Sequence, residues 1–159
     1  FFGGIKWIQG TESKNRSNNQ NDPNIDGKFE CKNGLICSIQ SFDYNKFAIL
    51  EMDIIGTKAR IRLNLTESTG ELFEISKKLG LAYKKLDGKK ELKKNDNMDI
   101  VLGVKNLFKS IQNKEQIICS GYDGYASLEA IIAIRLSAQQ NGGKIDLPIR
   151  SNKYKISSR

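Results

Sequence analysis

The sequence contains no histidine, and that absence together with two others excludes much enzyme chemistry. Without histidine, the Ser–His and Cys–His pairs that activate many nucleophiles cannot form within this chain. Neither G-x-G-x-x-G nor G-x-x-x-x-G-K-[ST] occurs, so no phosphate-binding glycine loop is predicted. No run of about 18 apolar residues is present either, so no membrane-spanning segment is predicted. Residue chemistry alone therefore indicates a globular domain without a visible catalytic set.

Cysteine is scarce as well, with three residues and no C-x-x-C pair, so a zinc site is not expected. Cys31 and Cys37 flank Asn33-Gly34, a strong signal for a hairpin with a two-residue turn. In that register Cys31 pairs with Ile36 and Glu30 with Cys37. The two thiols are then predicted to lie on opposite faces of the sheet, where they cannot form a disulfide. This use of cysteine suits a reducing, cytoplasmic location.

Acidic residues are outnumbered, and the formal net charge is +8 at pH 7. Lysine supplies 20 of the 26 basic residues and arginine only 6, although arginine is favoured for reading bases and phosphates in a bidentate manner. The lysine-rich stretch 77–94 is not interleaved with arginine. A solvated lysine face is therefore favoured there over a nucleic-acid interface, which is kept as the weaker alternative.

Two helices are predicted in the second half of the chain. Residues 120–143 read as a complete helix, with Ser120 as its N-cap and Asn141-Gly142-Gly143 as its end. Its apolar residues are so many that we expect it to be covered on most sides, with a repeat at Leu128, Ile131, Ile132 and Leu136. A second helix is predicted from Met98 to Gln112, with a buried seam of Val101, Val104, Phe108 and Ile111.

The remaining segments read as antiparallel strands, because apolar and polar residues alternate along them. Asp87-Gly88 is a second hairpin signal, which would set Tyr83 across from Leu92. Strands are predicted at 5–10, 28–41 (a hairpin), 48–55, 59–65, 72–75 and 144–149. Strands followed by helices predict an α+β fold: an open, predominantly antiparallel mixed β-sheet with helices packed on one face. At 159 residues, we expect a single domain spanning residues 1–159.

A polar stretch from Thr11 to Asn24 has no hydrophobic period and is predicted to be a surface loop. It is either a solvated connector or a polar lip over a ligand, since loops often carry function. Arg16 and Asn19 are its candidate substrate-binding residues.

Residues 121–142, followed by Lys144–Pro148, resemble the last helix and strand of the glucose–fructose oxidoreductase/inositol dehydrogenase (Gfo/Idh/MocA) family. The segment Ile54–Leu63 is similar to the family's "G-T-x-G-x-l-r-l" segment, with Ala59 in place of the second glycine. The resemblance extends over roughly residues 2–147 and matches the C-terminal half of the family's proteins.

The resemblance implies a C-terminal domain that shapes a substrate pocket and forms homo-oligomers through its exposed sheet face. We therefore expect this chain to be part of a longer NAD(P)-dependent oxidoreductase acting on a sugar, nucleotide sugar or cyclitol. The family's cofactor, NAD or NADP, binds its N-terminal Rossmann domain, which is absent from this chain. The catalytic lysine of Glu-Lys-Pro and the Asp-x-x-x-His pair also lie before this region. No catalytic, cofactor-binding or metal residue is therefore expected here, and the chain alone should be inert.

One family position can be carried over to this sequence. Many members place a tyrosine shortly after the strand that follows the Asn-Gly turn, where it approaches the substrate, and Tyr44 stands at that place. The alternative is that Tyr44 ends a strand with its hydroxyl in water. A second reading of the whole chain is a non-catalytic interaction or scaffold module with the same fold.

Overall fold

The computed structural model describes residues 3–13, 23–76, 83–92 and 99–150. The predicted α+β class is confirmed, and all the described strand pairs are antiparallel. The elements are β1 (Ile5–Glu12), β2 (Ile25–Cys31), β3 (Ile36–Ile39), β4 (Glu51–Ile55), β5 (Ala59–Asn64), β6 (Thr69–Ile75), β7 (Leu86–Glu91), α1 (Asp99–Ile111), α2 (Gly121–Gln139) and β8 (Ile145–Asp146). The chain divides into two compact units, Phe1–Asp43 with Gln116–Arg159, and Tyr44–Glu115.

The first unit is a four-stranded sheet, in the order β3-β2-β1-β8, with α2 packed on one face. Gly10 of β1 pairs with Gly27 of β2, directly beneath the helix. A Cβ atom added to Gly10 would lie 2.5 Å from the backbone oxygen of Ile134, and one added to Gly27 would collide with the Ile134 side chain. The paired glycines therefore let α2 approach the strands more closely than any other residue would allow.

The predicted ends of α2 are confirmed. Ser120 is the N-cap, and it forms a reciprocal capping box with Asp123. At the other end the N–H groups of Asn141 and Gly142 donate to the carbonyls of Ala138 and Ser137, at 3.2 and 2.8 Å. Asn141 has φ 55°, as this type of helix end requires.

The predicted cover of α2 is wrong for its N-terminal half. Leu128 is 39% exposed and Ile131 61%, whereas Ala133 and Ser137 are fully buried. Ile134 packs on the two glycines, and Ala133 and Ser137 face inward beside it, so Leu128 and Ile131 are left on parts of the helix surface that the sheet does not cover.

The register of the β2–β3 hairpin differs by one residue from the predicted one. Glu30 pairs with Ile36 and Phe29 with Cys37, because the loop has three residues. The Cys31 N–H donates to the Leu35 carbonyl at 2.8 Å, and Gly34 takes φ 86°. A slip of one residue turns every side chain to the other face. Cys31 and Cys37 therefore share the face covered by α2, the prediction of opposite faces is wrong, and both thiols are free.

The second unit contains a sheet in the order β4-β5-β6-β7. As the alternation predicts, one of its faces is charged: Asp53 lies opposite Arg62, and Arg62 opposite Glu71. The Arg60 Nε donates to Asp53 at 2.8 Å, and Lys89 pairs with Glu71. The predicted hairpin at Asp87-Gly88 is wrong, since both residues lie inside β7, where the register shifts and Gly88 has φ 70°. Glycine in that conformation suits a bulge as well as a turn.

The described helix α1 agrees with the predicted one, whose start at Met98 lies outside the described residues, but its predicted buried seam is wrong. Val104 is 62% exposed, Phe108 61% and Ile111 72%, and Val101 is exposed as well. The buried residue of this helix is Asn106 instead. In the described part of the chain α2 packs broadly on strands and α1 does not. A helical period shows that a helix has an apolar side, but it does not show which element, if any, covers that side.

Candidate functional site

A pocket of about 200 Å³ lies in the first unit, where the ends of β1 and β2 meet the last turns of α2. Three of its lining residues are polar, namely Glu12, Arg135 and Gln139, and three are apolar, namely Pro23, Ile25 and Ala138. Concave sites that combine apolar walls with a few polar groups are the usual place for small ligands. We therefore take this pocket as the candidate functional site.

The strand register explains where the pocket lies. Glu12 and Ile25 form the final pair of β1 and β2, and beyond it the Ser13 N–H donates to the Asn24 carbonyl at 2.9 Å. Arg135 and Gln139 are four residues apart in α2, so they project on the same side of the helix. Ala138 lies between them in the sequence, and its small side chain leaves space.

Asn24 lies next to the pocket in the chain, between the lining residues Pro23 and Ile25. Its side-chain Nδ2 is buried and has no hydrogen-bond acceptor among the residues that the structure describes. An unsatisfied buried donor costs about 1–3 kcal/mol. Because successive residues of an extended segment point to opposite faces, the Asn24 side chain projects away from Ile25 and is not part of the pocket lining.

The helix wall of this region is fixed to β1 by two polar contacts. The Ser137 Oγ accepts a hydrogen bond from the Gly10 N–H at 2.8 Å and donates to the Gly143 carbonyl. The Gln9 Nε2 donates to the Gly142 carbonyl at 3.2 Å. Sequence reasoning missed both contacts, and the only signal was a serine within the apolar stretch of α2.

A second polar cluster lies on the face of the sheet opposite α2. The Trp7 Nε1 donates to the Glu30 Oε2 at 2.7 Å, and Lys6 donates to the other oxygen at 3.0 Å. These hydrogen bonds, from Lys6 first and then Trp7, hold the pKa of Glu30 below its usual value. The Lys144 Nζ lies 4.6 Å from the centre of the Trp7 ring. The cluster joins β1 to β2 on this face of the sheet through the two hydrogen bonds to Glu30.

Comparison with known proteins finds no matching family model and no similar curated protein. Solved structures do match. UDP-N-acetylglucosamine 3-dehydrogenase GnnA from Acidithiobacillus ferrooxidans superposes with a TM-score of 0.71 at 8% identity, over 87% of this chain and 43% of GnnA. The WlbA dehydrogenase from Bordetella pertussis, solved with NADH and UDP-GlcNAcA, gives 0.58 at 17% identity, over 92% and 40%. An NAD-binding protein from Listeria innocua gives 0.63 at 17% identity, over 92% and 42%.

The fold is that of the C-terminal domain of the Gfo/Idh/MocA oxidoreductases. The chain spans about two fifths of the length of the structures that it matches, at 40–43%. At these sequence identities the comparison establishes the fold of this chain, as the resemblance in the sequence predicts.

Of the three substrate-binding residues predicted from the sequence, Tyr44 lies within the described part of the chain. Tyr44 is 80% exposed, at the start of the second unit. Arg16 and Asn19 lie outside the described residues. Within the described ranges, no group of three or more His, Cys, Asp or Glu side chains could hold a metal ion, and no helix is long and apolar enough to cross a membrane.

Proposed function

We propose that this chain is the C-terminal domain of a cytoplasmic NAD(P)-dependent oxidoreductase that acts on a sugar, nucleotide sugar or cyclitol. The observation that carries the proposal is the shared fold over 87% of this chain with GnnA, a UDP-N-acetylglucosamine 3-dehydrogenase. WlbA, which has the same fold over 92% of this chain, was solved with NADH and UDP-GlcNAcA. The cofactor, NAD or NADP, then binds an N-terminal Rossmann domain in the same longer polypeptide.

The role of this domain is to shape the substrate pocket and to form the oligomer interface. The pocket at the end of β1 and β2 supports the first role, because polar groups converge there on a small concave site. Arg16 and Asn19, in the polar stretch from Thr11 to Asn24, are proposed as further substrate contacts. The charged face of the second sheet, which carries Arg60 and Arg62, is the proposed surface for self-association.

Calorimetric titration of the chain 1–159 with NADH tests whether the cofactor binds to the proposed N-terminal domain and not to this chain. No heat of binding is expected, because the sequence has no glycine-rich phosphate loop. The longer polypeptide should bind NADH with micromolar affinity in the same measurement. Micromolar binding by residues 1–159 alone would contradict the proposal, and no binding by the longer polypeptide would favour a scaffold module with the same fold.

Tyr44 is also proposed as a contact to the substrate, and its exposure leaves the hydroxyl accessible. In the longer polypeptide, Tyr44→Phe should raise KM for the sugar and leave the affinity for the cofactor unchanged. Loss of one hydrogen bond between neutral groups costs about 0.5–1.5 kcal/mol, which corresponds to roughly a two- to tenfold increase. Unchanged sugar kinetics would show that Tyr44 is only a surface residue.

A further inference from the structure

We propose that Cys31 and Cys37 are a reversible redox pair, whose oxidation to a disulfide displaces β3 relative to β2. Both thiols are free in this structure. The reaction needs an oxidant, and the one proposed is a small-molecule disulfide such as glutathione disulfide. The pair then responds to the ratio of oxidised to reduced thiols around the protein.

The strand register places the two thiols side by side. Cys37 pairs with Phe29, and Cys31 lies two residues beyond Phe29 on the same strand. Residues two apart on a strand share a face, so the thiols are diagonal neighbours on the face that α2 covers. A hydrogen bond joins the two side chains, so they are in contact.

Burial decides which thiol reacts first. Cys31 is 1% exposed, whereas Cys37 is only half-buried. An oxidant from solution therefore reaches Cys37 first, and Cys31 reacts only with its neighbour. Burial, and then the adjacent Cys31 thiol, raise the pKa of Cys37. Because the thiolate is the reactive form, the first step is slow at neutral pH.

Two thiol–disulfide exchanges complete the reaction. The Cys37 thiolate attacks one sulfur of glutathione disulfide, which breaks the S–S bond, releases one glutathione thiolate and leaves a mixed disulfide at Cys37. The Cys31 thiolate then attacks the Cys37 sulfur, forms the bond between the two cysteines and releases the second glutathione thiolate. The two protons of the protein thiols end on the two glutathione molecules. Two protein thiols are thus oxidised, and one glutathione disulfide is reduced to two thiols.

The diagonal arrangement makes the new bond easy to reduce. Diagonal neighbours on antiparallel strands lie about 7–8 Å apart, with their Cβ atoms somewhat closer, whereas the Cβ atoms of a disulfide lie about 3.5–4.5 Å apart. The bond therefore forms only if β3 moves across β2 toward Cys31. A disulfide that strains its surroundings is readily reduced, as regulatory disulfides are, while structural disulfides resist reduction by glutathione.

Peptide mapping of the 159-residue chain tests the inference. The chain is incubated with glutathione disulfide, its remaining thiols are alkylated, and trypsin cleaves after Lys32, between the two cysteines. Mass spectrometry should find peptide 29–32 linked to peptide 33–46, and excess reduced glutathione should remove the link. Cys119→Ser, which removes the exposed third thiol, is the matched control and should give the same yield of linked peptides.

Single substitutions test the order of the two steps. In Cys31→Ser the glutathione should stay on Cys37, because no second thiol displaces it. In Cys37→Ser the Cys31 thiol should remain unmodified, because it is buried. Cys31→Ala replaces Cys31→Ser if thermal melting shows that the serine variant does not fold.

Amide NMR spectra of the chain before and after oxidation test the movement of β3. The signals of residues 36–39 should shift, and those of the α2 N-cap, Ser120, should not. Unshifted signals from β3 in the oxidised chain would contradict the displacement. Absence of the linked peptides, glutathione that stays on Cys37 of the wild-type chain, or a link that survives excess reduced glutathione would overturn the redox pair.

Discussion

Ser137 shows how much a single buried polar side chain contributes to this fold. It is fully buried on α2, and its hydroxyl joins the Gly10 N–H of β1 to the Gly143 carbonyl after the helix. β8 pairs with β1 only at Trp7 and Ile8, so the Gly10 N–H lies beyond that pairing. The serine supplies the acceptor that the short strand does not.

Ser137→Ala should therefore lower the free energy of unfolding by about 1–3 kcal/mol, because it removes the acceptor of a buried N–H and the donor to a part-buried C=O. Urea unfolding followed by circular dichroism measures the change. Ser127→Ala is the matched control, since Ser127 is exposed on the same helix and donates only to the Asp123 carbonyl. The control should change stability by less than about 0.5 kcal/mol. Equal losses in the two variants would contradict this account of Ser137.

The partners of Ser137 could not be predicted from the sequence, because Gly10 is 127 residues away. The pocket was inaccessible to sequence reasoning for the same reason. Glu12 and Arg135 belong to distant elements, and only the packing of α2 over the glycine pair brings them together. The polar stretch between Thr11 and Asn24 was the local signal nearest the pocket, but its predicted start was wrong, because Thr11 and Glu12 belong to β1.

Among the helices and strands, the limits that depend on local chemistry were predicted best from the sequence. Both ends of α2 followed from Ser120 and Asn141-Gly142, whose conformations are set within a few residues. The register of the β2–β3 hairpin did not follow, because Asn33-Gly34 also fits a three-residue loop in which the Asn33 side chain accepts from the Leu35 N–H. The sequence did not predict which side of α1 or α2 is buried, because that side depends on the element against which the helix packs.

The N-cap of α2 should make part of the stability depend on pH. Hydrogen bonds from the Ser120 hydroxyl and backbone N–H lower the pKa of Asp123. A lowered pKa means that this contribution is fully present above the ordinary value of about 4 and is lost as the pH falls through the lower value of the folded state. Asp123→Asn should therefore reduce the drop in Tm between about pH 6 and pH 3.

Thermal melting of the wild-type chain and of Asp123→Asn at each pH measures the drop in Tm of each protein. Asp53 and Glu71 also have a lowered pKa, through hydrogen bonds from Arg60 and Lys89, so a smaller drop should remain in the variant. Asp146→Asn, a substitution in β8 outside the cap, is the control. An unchanged pH dependence in Asp123→Asn would show that the cap contributes nothing measurable.

At the scale of the whole molecule, the α+β class and the family fold were accessible from the sequence, because each depends on the order of many elements and not on any one register. The division of the strands into two sheets could not be predicted from the sequence, since packing decides which strands pair. The charged rows of β4 and β5 were predicted correctly. The structure adds that these charges already pair within the sheet, as Arg60 does with Asp53.

We expect the chain to self-associate through an exposed sheet face, as the proposed function requires. Sedimentation should detect a dimer at about 100 μM, a concentration at which even a weak specific interface is populated. Arg60→Glu with Arg62→Glu should shift it toward monomer, because both side chains lie on the charged face of the second sheet. Lys105→Glu with Lys109→Glu makes the same change of charge on α1 and also breaks one ion pair, with Glu115. This control should remain dimeric, and a monomeric wild-type chain would contradict the proposed interface.

We propose that this chain belongs to an oxidoreductase that acts on a sugar, and a dehydrogenase assay tests that proposal most directly. The longer polypeptide that contains residues 1–159 should reduce NAD⁺ or NADP⁺ when it is given a substrate from a panel of UDP-N-acetylglucosamine, free sugars and cyclitols. Formation of the reduced nicotinamide, followed by absorbance, should saturate with the concentration of one of these substrates. Removal of residues 1–159 should abolish that reaction. Reduction that is independent of every substrate in the panel, or that persists at the full rate after the removal, would contradict the account.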